Sequence, residues 1–205
     1  MKRLFSWTTA AAIALALPAL GRAQSPDMPA QPQADQAKPD APKDASSLIM
    51  SWPKNAKITA RHLLHKYGPP DAATDWTLSW NNHGPWSRIT LLRRGPSDAF
   101  PTAHRDVVEN TIQYDVPEEK AGQLVKFNTA LDVDRVNGTL SARSDSEAAN
   151  TLALNMADEI VRGKRDAYAA RDFMRSTLNK AMSGKSSPYM DHLLFPAADR
   201  GDRKN

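Results

Sequence analysis

Apolar residues recur between positions 54 and 67 at Ala56, Ala60, Leu63, Leu64 and Tyr67. Spacings of three and four place them on one face of a helix. Gly68 stands at the stop position, and Pro69 and Pro70 forbid continuation. The period then shortens. Residues 77–80 read as a strand, 81–85 (Asn-Asn-His-Gly-Pro) as a turn, and 86–93 as the returning strand with Ile89 and Leu91 on one face. Residues 94–106 show no period and carry Gly95, Pro96 and Pro101, so they read as a long irregular loop. Alternation returns at 108–116. Val108, Ile112, Tyr114 and Val116 point one way, and Glu109, Thr111, Gln113 and Asp115 the other.

Pro117 followed by Glu118 and Glu119 opens a short helix. Asn137-Gly138 then signals a hairpin, and a two-residue turn there would pair Val133 with Ala142 and Asp132 with Arg143. Ser144 and Glu147 have capping-box spacing ahead of an apolar stripe at Ala149, Leu152, Ala153, Met156 and Ile160, which Gly163 ends. Asp166 caps a last helix whose Ala167, Ala170, Met174, Leu178 and Ala181 share a face, and Gly184 ends it. The expected order is α-β-β-β-α-β-β-α-α. This is an α+β fold, with an antiparallel sheet of about five strands and helices on one face.

The first 47 residues change the picture of composition. Met1-Lys2-Arg3, an apolar run from Ala10 to Leu17, and small residues at Gly21 and Ala23 form the three-part pattern of a secretory leader cleaved after Ala23. The run is shorter than the ~20 apolar residues a membrane span needs. The leader carries Lys2, Arg3 and Arg22 and no acid, so the formal charge of +4 falls to +1 on cleavage. That removes the basic excess expected of a nucleic-acid binder. Residues 24–47 hold five prolines and no aromatic or β-branched residue, the composition of a disordered linker. The layout expected is therefore a signal peptide at 1–23, a linker at 24–47, one α+β domain at 48–195 and a charged, disordered tail at 196–205. There is no cysteine, which excludes disulfides and thiolate chemistry. The compartment expected is periplasmic or fully secreted, with no membrane span.

Two resemblances accompany this reading. The helix ending Tyr67-Gly68-Pro69-Pro70-Asp71, followed by a strand ending in tryptophan, resembles the helix–Gly-x-Pro–strand–strand unit of small outer-membrane-assembly lipoproteins and β-lactamase-inhibitor-like domains. In those proteins the unit makes a protein-binding surface. The likeness covers about 35 residues, judged by this one strand-length unit, and the chain lacks a lipid-bearing cysteine. Over most of the folded part, the chain looks like a family of uncharacterised secreted bacterial proteins. The residues that carry this are Lys66 to Asp71, Gly84-Pro85-Trp86, Phe100-Pro101, His104 with Asp106, Tyr114 with Val116-Pro117, Ser141 to Arg143 with Asp145, and Asn150 through Asn155. That resemblance implies export and domain bounds, and no activity.

Candidate chemistry is confined to the loop and the turn before it. His104 and Asp106 are the catalytic candidates, since a histidine oriented by a carboxylate is the core of general-base and metal-ligand arrangements. His83 joins them in a metal-ligand reading. Trp86, Arg88, Phe100, His104 and Asp106 make the expected binding surface, because aromatic and charged groups on loops of a rigid scaffold serve recognition. No Gly-x-Ser-x-Gly elbow or phosphate-binding glycine loop is present, and no cofactor is expected. The function expected is that of an exported soluble binding or accessory protein of the bacterial envelope, with an envelope protein or cell-wall component as partner. The alternative is a periplasmic hydrolase or metal-assisted enzyme using His104 and Asp106.

Overall fold

The structure is a computed structural model that describes residues 44–197. The expected leader, the linker up to residue 43 and the tail from 198 lie outside the described residues. The fold begins before residue 48. Asp44 accepts a hydrogen bond from Ser46 N at 3.1 Å and caps helix α1 (Ala45–Ile49), whose Ala45 and Ile49 are buried. That i, i+4 apolar pair straddles the expected boundary, which is why composition averaged over 24–47 hides it.

Helix α2 (Lys54–Tyr67) buries Ala56, Ala60 and Leu63, as its spacing predicts. Gly68 ends it at φ 77°, a conformation that side chains disfavour. Strands β1 (Ala72–Ala73), β2 (Thr77–His83) and β3 (Trp86–Leu92) follow. The loop after β3 holds a small two-stranded ribbon, β4 (Ser97–Asp98) with β5 (His104–Arg105). Next come β6 (Val108–Gln113), α3 (Glu118–Phe127), β7 (Leu131–Asp134) and β8 (Thr139–Ser144). Helices α4 (Glu147–Val161), α5 (Ala167–Met182) and the short α6 (Pro188–Asp191) complete the described chain. The main sheet is antiparallel, with six strands in the order β1-β2-β3-β6-β8-β7. The protein is thus α+β, with one more sheet strand than expected because two alanines suffice for an edge. No helix among the described residues is long and apolar enough to cross a membrane.

Register explains which face is covered. Leu91 pairs with Val108, Ile89 with Asn110, and Asn110 with Ala142, so these residues share one face. Thr90, Glu109 and Arg143 alternate onto the other. Helix α4 packs on the apolar face, where Asn150 Nδ2 donates to Val108 O at 3.1 Å and to Asn110 Oδ1 at 2.8 Å. The α4 stripe is wider than predicted, and Asn150, Asn155 and Asp158 are buried in it. Asn155 holds the C-terminal segment, donating to Tyr189 O and His192 O and accepting from Leu194 N. Both ends of the Asn155 amide are satisfied in this way, whereas Asn150 Oδ1 and Asn110 Nδ2 are buried without a partner among the described residues.

Two local expectations are corrected. The β7–β8 hairpin pairs Leu131 with Ala142 and Val133 with Leu140, two residues out of the predicted register. Asp134 sets the longer loop, because its carboxylate accepts from Val136 N, Asn137 N and Asn137 Nδ2. The shift of two preserves the faces. Arg143 sits across from Glu109 on β6, where the charges lie 3.8 Å apart. The α4 cap is Ser146, whose Oγ accepts from Ala149 N, rather than Ser144. Glu147 is then free to face α2.

Candidate functional site

The loop between β3 and β6 is tied down at every step. Asp106 N donates to Pro96 O at 3.0 Å, and Arg105 donates a guanidinium N–H to Gly95 O at 3.2 Å. Gly95 is required by proximity, since a Cβ there would lie 1.8 Å from the Asp106 carbonyl oxygen. Asp98 Oδ1 accepts from Phe100 N at 2.9 Å, which turns the chain between the ribbon strands. The ribbon pairs Asp98 directly with His104.

This pairing brings three side chains together. One ligand atom from each of Asp98, His104 and Asp106 lies within 4.8 Å of the others. His104 Nδ1 is 2.8 Å from Thr102 O, and a carbonyl only accepts, so Nδ1 carries the proton and donates. Nε2 lies 3.0 Å from Asp106 Oδ1. Asp106 is 4% exposed, and among the described residues its Oδ1 makes no aligned hydrogen bond. The contact to Nε2 has the distance of an ion pair without the direction of an N–H bond. Burial holds the Asp106 carboxyl above its ordinary value. His104 and Arg143 pull it down, while Asp98 and Asp145 add to the rise.

The cluster borders a cavity of about 280 Å³. Its polar side is Asp98, His104, Arg143 and Ser146 at the start of α4. Its apolar side is Phe100 and Pro101 with Met174, Leu178, Ala181 and Met182 of α5. Arg171 lies 3.9 Å over the Phe100 ring and holds that ring against α5. A second groove of about 540 Å³ also reaches Asp98 and His104 and is lined by Arg93, Arg94 and Arg105.

The structure unites His104, Asp106 and Phe100 and separates the other expected site residues from them. Trp86 is 4% exposed, and its Nε1 donates to Glu147 Oε1 and Tyr67 Oη at 3.2 Å each. It is a buried tie, not a recognition surface. Arg88 faces a different groove with Thr111 and Thr139. His83 pairs with Trp86 at the turn end of the β2–β3 hairpin, whereas Leu92 at the other end meets Val107. Six residues of strand, about 20 Å, separate those ends. His83 instead packs its ring edge-on to Tyr67, with centroids 5.3 Å apart. Asp98 takes its place in the cluster. Sequence reasoning missed Asp98 because two-residue strands leave no period. Its position in the same loop as His104 and Asp106 was the available signal.

Fold and site together define an α+β protein with a cavity of mixed polarity, walled by a tethered loop and by the helices over the sheet. No family model, curated protein or solved structure matches the chain.

Proposed function

We propose that the chain is exported with cleavage after Ala23 and acts in the bacterial envelope as a binding protein for a small amphipathic molecule. The observation that carries this reading is the division of the 280 Å³ cavity into an apolar wall and a polar wall. Its volume is near the lower end of the ~300–1,000 Å³ usual for ligand sites. An apolar moiety fits against Met174, Leu178 and Phe100, and a polar end meets His104, Arg143 and Ser146. The test uses N-phenyl-1-naphthylamine, a neutral dye that brightens in apolar surroundings. The full chain is expected to give a saturable rise in fluorescence, and Ala181→Trp, which fills the cavity, to abolish it without lowering the thermal midpoint. Equal dye binding by both would contradict the reading. The mass of the protein recovered from the envelope fraction, expected to begin at Gln24, tests export.

A hydrolase using His104 and Asp106 is the second reading, favoured by their 3.0 Å contact. The nearby serine hydroxyls are engaged elsewhere. Ser144 Oγ donates to Ser146 O, and Ser146 Oγ caps α4. Water is therefore the nucleophile this reading requires. Hydrolysis of p-nitrophenyl acetate that His104→Ala abolishes would favour it over binding alone.

A further inference from the structure

We infer that Asp98, His104 and Asp106 form a site for one divalent metal ion of the zinc class on the wall of the cavity. The inference stands apart from the amphipathic-ligand reading, since the three side chains converge whether or not the cavity takes a ligand.

His104 carries a ring proton on Nδ1. In the neutral ring, donation from Nδ1 to Thr102 O leaves Nε2 with its lone pair beside Asp106 Oδ1. At 3.0 Å from it lies Asp106 Oδ1, buried and without an aligned hydrogen bond. Two electron-pair donors at that distance repel unless a positive charge lies between or beside them. A shared proton would need the oxygen on the line of the lone pair, and that alignment is absent. A metal ion needs the opposite arrangement. It sits on the lone-pair axis itself, with the carboxylate oxygen to one side. For zinc with bonds of ~2.0–2.1 Å in a tetrahedron, neighbouring ligand atoms are about 3.3 Å apart. The 3.0 Å contact is close to that figure, and the other separations in the trio are no more than 4.8 Å.

The surroundings match a built site. The backbone carbonyl on the far nitrogen of His104 is the usual partner that orients a metal-bound imidazole. Phe100 N–H fixes Asp98 in the same way. Gly95 and Pro96 position the Asp106 backbone. Imidazole with two carboxylates suits zinc and its first-row neighbours better than calcium, which prefers six or more oxygens. With three protein ligands, the site keeps a position for water or ligand, and Asp98 and His104 both line the cavity.

The test takes the full chain, stripped with EDTA, dialysed against zinc and then against metal-free buffer. Elemental analysis is expected to find one zinc per chain, and cobalt in its place to give visible absorption typical of four-coordinate Co²⁺. Asp98→Asn and His104→Gln alter side chains that are not fully buried. Each is expected to weaken zinc binding by more than about 100-fold, beyond what loss of an outer partner does, while the thermal midpoint in EDTA stays at the wild-type value. Zinc uptake that survives both variants, or no uptake by the wild type, would overturn the inference and leave His104 and Asp106 as an ion pair only. Zinc uptake without dye binding supports the site and contradicts the cavity reading. Dye binding without zinc uptake does the reverse.

Discussion

Among the described residues, the clusters around Glu147 and Asp106 each centre on a carboxylate and are put together in opposite ways. Around Glu147 the neighbours are donors. Lys66 Nζ, Tyr67 Oη and Trp86 Nε1 all reach Oε1, at 2.7, 2.8 and 3.2 Å, and only Oε2 is left without one. The result joins α2, β3 and the first turn of α4. Around Asp106 Oδ1 no aligned donor is found among the described residues; Asp98 and the Nε2 side of His104 lie nearest, and Arg143 acts on the carboxyl through its charge alone. A carboxylate oxygen that collects three donors is a structural tie. A buried carboxylate facing other electron-pair donors is unfinished, and its missing partner is positive.

The largest expected effect comes from breaking the backbone approach that builds the second cluster. Gly95→Ala forces a Cβ against Asp106 O, and overpacking of this kind costs about 3 kcal/mol. Urea unfolding should show that loss together with loss of zinc uptake. Unchanged stability would mean the loop is not held as described.

Removing each carboxylate separates the two clusters. Glu147→Ala leaves the Trp86 and Tyr67 donors without their shared acceptor and should lower the unfolding free energy by about 2 kcal/mol. Asp106→Asn removes a buried charge with no aligned donor. In EDTA it should change stability by less than about 1 kcal/mol, since the neutral amide sheds the cost of burying a carboxylate and gives up no aligned hydrogen bond at Oδ1. Equal, large losses in both variants would make the two clusters alike.

The smallest effect is on pH dependence. Burial holds Glu109 above its ordinary value, with Arg143 and Arg88 pulling against it. A raised folded-state value means the native chain keeps this proton to higher pH than the unfolded chain does. Glu109 therefore makes stability fall as pH rises from about 4.3, its unfolded value, through its folded value. Glu109→Gln should remove that slope, as read from urea midpoints between those two values. A slope unchanged in the variant would assign it to other groups.

Much of the fold was legible because its elements obey single periods. The α2 face, the β6 alternation and the Asp166 cap all follow from local spacing. What was not legible depended on partners far along the chain. Glu147 looked like half of a capping box, but its side chain turns to Lys66 and Tyr67 some 80 residues away. Asp132 looked like the partner of Arg143, but the Asp134 loop moves the register and Glu109 takes that place. The site was half legible. His104 and Asp106 share a short motif, whereas Asp98 enters through ribbon pairing and the α5 methionines through helix packing. Trp86 and His83 were drawn into the expected site by sequence proximity to the loop, although the length of β3 carries them away from it.

The most direct measurement is an anomalous difference map from crystals of the full chain soaked in zinc. One peak is expected about 2.1 Å from His104 Nε2 and from a carboxylate oxygen of both Asp98 and Asp106. A map with no peak there, with Asp106 Oδ1 instead in line with a protonated Nε2, would contradict the metal site.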